Sequence, residues 1–260
     1  MPDIMTSFYD TITIHWYIIL FLASIIGGLV GSISGGAGMI TMPLLLLSGL
    51  NPLVALAVNK IQACVGSFTS AVHYYHQGLV DISQSRILMG IAMIFAALGA
   101  ISVQYIELNL LSKILPFAMI IIGGYFLLSK HISDEDRTQK PHKLLVYAST
   151  IGAGFYGGLL GVGIGSFVLA ILVSIAGYGL SKAVAHSRWI VFSINIASTL
   201  IFIIGGNVLW LLSMVMCIGQ IIGASLGAKI VIKHGAKIIR PLVICTSFLL
   251  SLQLLIKEFF

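Results

Sequence analysis

The sequence predicts an all-α polytopic membrane protein made of two homologous halves, and three observations carry that prediction. Apolar residues fill 58% of the 260 positions and charged ones only 8%, with a mean hydropathy of +1.08, whereas a soluble domain carries about a quarter charged residues. Apolar runs long enough to cross about 30 Å of hydrocarbon recur along nearly the whole chain without period-2 alternation, which in lipid leaves helices as the spanning structure. The glycine-rich stretch Ser34 to Gly38 (S-G-G-A-G) interrupts the first of these runs and recurs, degraded, at Gly161 to Gly165 (G-V-G-I-G).

In order, the predicted helical segments are Ile14 to Ile33, Gly38 to Leu50, Leu53 to His76, Ser85 to Ile106 and Leu111 to Lys130. They are followed by Lys143 to Gly161, Gly165 to Tyr178, Ser181 to Ile204, Val208 to Lys233 and Lys237 to Lys257. The first is read as a mature helix, because Met1 to His15 holds no Lys or Arg and no small-x-small cleavage site follows. Each half is then a glycine-broken helix plus three full transmembrane helices. Between the halves, Lys130 to Lys143 is the only long polar stretch. Residues 1–131 form the first repeat, 132–142 a polar cytoplasmic linker and 143–260 the second repeat.

A fixed shift tests the duplication. With a shift of 127, Gly31, Gly36 and Gly38 fall on Gly158, Gly163 and Gly165; one position later, Ala57 and Lys60 fall on Ala185 and Arg188. Farther on, Gly78 and Val80 fall on Gly206 and Val208, and Leu98-Gly99-Ala100 falls on Leu226-Gly227-Ala228.

Orientation follows from how the broken segments are counted. Ile14 to Leu50 would be about 55 Å long as one helix, too long for a single crossing. If the broken segments cross once, Lys and Arg in the loops divide six against six. If they dip in and return, one side holds Arg86, Lys130, Arg137, Lys140, Lys143, Lys182, Lys229, Lys233, Lys237 and Arg240, and the other only Lys113 and Lys257. The positive-inside rule favours the second count. It gives inverted halves with both termini outside the cytoplasm, a recurring transporter architecture.

The chemistry concentrates at the breaks and at two buried bases. The glycines of Ser34 to Gly38 offer positive φ and close backbone approach, and the helix that follows points free N–H groups back at the break, an arrangement that attracts anions. Ser34 and Ser166 would add hydroxyl donors. The competing reading is that these glycines only let helices pack closely. Lys60 and Arg188 each lie seven or eight residues into the helix after a break, where a base marks a functional site in need of a partner. All eight acidic residues fall in tails, loops or helix ends, so a bound anion would supply the missing charge; the alternative is that the bases snorkel to the interface. A polar and small stripe at helical spacing accompanies them, Asn59, Gln62, Gly66, Thr69 and His73 on one helix and Arg188, Asn195 and Ser198 on its partner. It fits either a substrate path or interhelical hydrogen bonding. His73 and His186 are candidates for proton coupling or for structural roles.

Other chemistries find no support. Cys64, Cys217 and Cys245 lie in apolar runs without C-x-x-C spacing, so no disulfide framework or zinc site is indicated. There is no P-loop, no H-E-x-x-H and no paired intramembrane carboxylate. The basic loops flank membrane and point to no nucleic-acid partner.

Gly28 to Leu45 (G-L-V-G-S-I-S-G-G-A-G-M-I-T-M-P-L-L), Ala55 to Ala63 (A-L-A-V-N-K-I-Q-A), Tyr74 to Asp81 (Y-Y-H-Q-G-L-V-D) and Leu98 to Ala100 together resemble the TauE/SafE sulfite exporter family of bacterial permeases. The resemblance covers essentially the whole chain, which looks like the subgroup carrying N-K-x-Q. It implies secondary transport of small, often sulfur-containing anions such as sulfite or sulfoacetate across the bacterial inner membrane. The second break departs from the pattern, with Val162 and Ile164 between its glycines and Ala170 where the first half has Pro43.

The expectation is therefore a secondary transporter for a small anion, not an enzyme, in a lipid bilayer, with no cofactor and no metal. Its substrate-binding residues are expected to be Ser34, Gly35, Gly36, Gly38, Asn59, Lys60, Gln62, Gly163, Gly165, Ser166, Arg188 and Asn195. A homo-oligomer and the identity of a coupling ion stay open. A non-transporting accessory protein and an intramembrane enzyme are the alternatives.

Overall fold

The computed structural model describes residues 13–105 and 142–235, which form eight helices and no strand. These are α1 (Ile14–Ser34), α2 (Ala37–Leu47), α3 (Pro52–His76), α4 (Ile82–Ser102), α5 (Lys143–Leu159), α6 (Ile164–Ser174), α7 (Leu180–Ile204) and α8 (Trp210–His234). Five of them, α1, α3, α4, α7 and α8, are long and apolar enough to span a membrane. The linker and the last predicted helix of each half, Leu111 to Lys130 and Lys237 to Lys257, lie outside the described residues.

The polarity of the bundle is that of a protein in lipid. Large apolar side chains such as Ile94, Leu98, Met214, Ile218 and Ile222 face outward, while Asn59, Lys60, Gln62, Arg188, Asn195 and Gln220 are buried. Met214, Ile218, Ile221 and Ile222 repeat at helical spacing along α8 and give it one continuous apolar outer face.

Each break reverses the chain. α1 ends because Gly35 takes a left-handed conformation (φ 88°) and returns its N–H to the Gly31 carbonyl at 3.0 Å. α2 then runs back along α1: a Cβ on Gly31 would touch Ala37, and one on Gly27 would stand 3.1 Å from the Thr41 methyl. In the second half Gly161 and Gly163 are both left-handed. α6 doubles back on α5, with the Tyr156 and Phe167 rings stacked at 5.8 Å and the Tyr156 hydroxyl donating to the Val162 carbonyl at 2.8 Å. Of the three glycines in the first break only Gly35 needs a positive φ; Gly36 has φ −94° and Gly38 is helical. Gly38 is small for another reason, since a Cβ there would stand 3.1 Å from Asn59 Nδ2.

The halves pack crosswise. α1 lies mainly against α8 of the other half, and α5 mainly against α4. Both interfaces are built on small residues: Gly219, Gly223 and Gly227 of α8 meet α1 backbone or its serines, and Gly99, Gly154 and Gly158 join α4 to α5 backbone to backbone. The turns before α4 and α8 also match, with Gly78 and Gly206 at φ 71° each.

Candidate functional site

Where the two breaks meet, backbone touches backbone. A Cβ on Gly35 or Gly165 would collide with the other residue, and the Ser166 hydroxyl donates to the Ser34 carbonyl at 2.7 Å. The Ser34 hydroxyl itself donates to the Val30 carbonyl at 3.1 Å. Of these two hydroxyls, both predicted as substrate donors, that of Ser166 thus ties the two hairpins together, while that of Ser34 donates within its own helix.

Lys60 and Arg188 are both buried, 0% and 2% exposed, which excludes snorkelling. Each has hydrogen-bond partners that its own half does not provide. Lys60 Nζ donates to the Gly157 carbonyl in the last turn of α5. Arg188 Nη1 donates to the Gly31 carbonyl in the last turn of α1, and Nη2 reaches the Gly165 carbonyl at 3.4 Å and Ser187 Oγ at 2.8 Å. Each base therefore sits at the C-terminal, negative end of the broken helix of the opposite half, where the helix dipole favours a cation. The sequence gives no sign of these partners, because a carbonyl belongs to every residue type. They satisfy hydrogen bonds without neutralising charge: Asp81, exposed at the start of α4, is the sole carboxylate among the described residues.

A cavity opens beside the junction, and the two bases stand differently to it. Arg188 lines it and Lys60 does not. Its wall takes Gly31 and Gly35 from the first break, Ala37 and Gly38 from the N-terminus of α2, Gly161 and Ile164 from the second break, and Asn195 from α7. Along α3 it follows Asn59, Ala63, Gly66, Ser67 and Ser70, one helical face spanning about 16 Å. Its volume of about 30 Å³ suits a ligand of only a few heavy atoms.

Of the predicted substrate-binding residues, Gly35, Gly38, Asn59, Arg188 and Asn195 line this cavity; Ser34, Gly36, Lys60, Gln62, Gly163, Gly165 and Ser166 stand behind the wall. Gly36 and Gly163 precede α2 and α6 as their N-caps. Gln62 is buried and supports Asn59, donating to its Oδ1 at 3.1 Å while Thr41 Oγ1 donates to the same oxygen at 2.8 Å. Thr69 and His73, placed on the stripe by spacing, lie off the cavity, with His73 Nδ1 2.9 Å from the Thr69 carbonyl on their own helix. His186 is buried away from the cavity, Nδ1 2.6 Å from Ser85 Oγ.

Gln220 of α8 was not foreseen. It is 1% exposed, lines the cavity, and donates through Nε2 to Gln62 Oε1 at 3.3 Å. It has no echo in the first half, where the corresponding position is Ala92, so the repeat passes over it. An amide inside a glycine-spaced apolar helix was the available signal.

The chain matches the family model "Sulfite exporter TauE/SafE" over residues 20–254. It is 37% identical over 239 residues to the "Probable membrane transporter protein YfcA" of Escherichia coli K12, covering 91% of this chain and 88% of that one. It is 35% identical over 242 residues to a "Probable membrane transporter protein" of Haemophilus influenzae, covering 92% and 94%. YunE of Bacillus subtilis, named in the same words, is 25% identical over 94% of this chain and 99% of its own. No solved structure matches. A helical membrane bundle with two glycine hairpins meeting at a buried arginine, matched over most of its length by membrane transporters, belongs to the TauE/SafE family.

Proposed function

We propose that this transporter carries a small anion, with the cavity beside the two breaks as its binding site. One observation carries the reading: Arg188, buried and facing the cavity beside the N-terminus of α2, has no carboxylate partner among the described residues. Buried cations are ordinarily paired or neutralised, and an anion between the guanidinium, the α2 N–H groups and Asn59 Nδ2 meets that demand. The family supports a sulfur oxyanion such as sulfite. In this scheme Lys60 holds the end of α5 instead of touching substrate, and inverted halves rock about the junction to expose the site to either side. The count of basic residues supports an orientation in a bacterial inner membrane with the Arg86, Lys182 and linker side toward the cytoplasm.

The test is flux into proteoliposomes of sulfite, sulfate, thiosulfate, sulfoacetate, taurine, phosphate and chloride by the full-length protein. Arg188→Gln should reduce transport of the preferred anion about 10- to 100-fold per folded molecule, the worth of one or two charge-assisted hydrogen bonds, beyond any loss of stability from its contact with Gly31. Lys60→Gln should act mainly on stability. Transport at wild-type rates by Arg188→Gln, or selective movement of uncharged or cationic solutes, removes the proposal.

A further inference from the structure

Three amide side chains around the cavity end in groups that no described residue satisfies, and their chemistry is not all of one kind. Asn59 uses its Oδ1 on Thr41 and Gln62, which leaves Nδ2 as a donor beside Gly38. Asn195, 2% exposed, makes no side-chain hydrogen bond with any described residue. Gln220 commits Nε2 to Gln62, which leaves Oε1 as an acceptor lying against Gly28 and Gly66, both in the cavity wall. All three residues line the cavity, where a ligand can pair with these ends.

Resting on the anion reading above, we infer that the site selects a hydrogen-bearing monoanion, one that offers acceptors to Arg188 and Asn59 and its own O–H to the Gln220 carbonyl oxygen. An acceptor-only anion would bring lone pairs against Gln220 Oε1, and both would stay buried and unpaired. Exclusion by an unsatisfied acceptor is a strong way to discriminate between near-isosteres. The same acceptor could have been a carboxylate, but that would also repel the anion; an amide oxygen reads the proton without adding charge. A ligand bound in this form carries its proton with it, so its movement needs no titrating side chain in the path.

The amides form a relay in which each is given one sense. Gln220 donates to Gln62 and Gln62 to Asn59, so the far end of the chain presents N–H and the near end presents C=O. Gly66 makes room for this, since a Cβ there would collide with Gln220 Oε1. Gln220 is thereby a specificity-determining residue, one helix away from the bases.

The experiment uses a near-isosteric pair of equal charge, of which one carries an O–H and the other does not: methylphosphonate, at a pH low enough to hold it as the monoanion, and methanesulfonate at the same pH. Binding to detergent-purified full-length protein is read as ligand-dependent thermal stabilisation. The phosphonate should bind at least about tenfold more tightly than the sulfonate. Gln220→Leu should bring the two within about twofold, by losing phosphonate affinity and admitting the sulfonate. Gln220→Glu, which keeps an acceptor, should retain the preference while weakening both. Wild-type protein that binds the two anions equally overturns the inference without needing any variant. If such equal binding disappears in Arg188→Gln, the anion site survives and only the proton selectivity fails. If neither these probes nor any anion of the wider panel binds, it is the anion reading itself that falls.

Discussion

Asp81 shows how a single residue sets the turn that begins α4. It is the N-cap of that helix, accepting from the Ser83 hydroxyl at 2.6 Å and the Ser83 N–H at 3.0 Å on one oxygen and from Gln84 Nε2 at 3.2 Å on the other. Those hydrogen bonds, the Ser83 hydroxyl first and its N–H second, hold the carboxyl below its ordinary range. A depressed carboxylate pKa contributes stability that is present above the unfolded value, about 3.9, and is lost as pH falls through the folded value. Melting curves from neutral pH to about pH 3 should therefore separate wild type from Asp81→Ala. The variant should melt lower at neutral pH, with the gap narrowing in acid. A gap that stays constant down to the acid limit would show that the carboxylate charge does not matter to the cap. The G-x-V turn was visible in the sequence because it recurs, at Gly78 to Val80 and at Gly206 to Val208. The partners of Lys60 and Arg188 were not visible, because carbonyl groups have no positional signature.

Among the elements, α1 and α8 make the closest approach. A Cβ at Gly223 would run into the Ile25 carbonyl and stand 2.8 Å from the Leu29 nitrogen, which are backbone atoms and cannot turn aside. Gly152 of α5 has nothing within 4 Å of the equivalent point. One methyl group should thus have opposite effects at the two sites. Gly223→Ala should cost at least the roughly 1–3 kcal/mol of an overpacked core, while Gly152→Ala should gain about 0.5–1 kcal/mol from helix propensity. Thermal melting of both variants in one detergent checks this, and a silent Gly223→Ala would mean the helices are less tightly joined than described. The breaks were legible as elements because each interrupts an apolar run at matched positions, and the charge count favoured their reversal. Which helix each small residue faces was not legible: glycines at i and i+4 announce a close contact without naming its partner. The stripe on α3 was legible in part, since Asn59 and Gly66 do line the cavity, whereas spacing alone carried the prediction on to Thr69 and His73, one face too far.

At the scale of the whole molecule, the crosswise packing makes the halves interdependent. The N-terminal hairpin is covered by α8, its end is held by Arg188, and the Gly35 backbone sits against Gly165. The second hairpin is covered by α4 and held by Lys60. Each half lends the other a cation: Arg188 adds to the Gly31 carbonyl at the end of α1, and α3 alone would leave Lys60 as a buried charge without its acceptor, the strongly destabilising situation for an ion deprived of its partner. A chain cut within the polar linker, with residues 1–131 and 143–260 expressed as separate polypeptides, should therefore assemble when both are present and accumulate poorly when either is alone. Co-purification from membranes through a tag on one fragment, with anion flux as the functional readout, measures this. A half that purifies by itself as a stable, monodisperse species would show that the caps and small-residue seams between halves are secondary. In that case the junction would be a movable contact instead of a shared core, and rocking would need no coupling through Lys60 and Arg188.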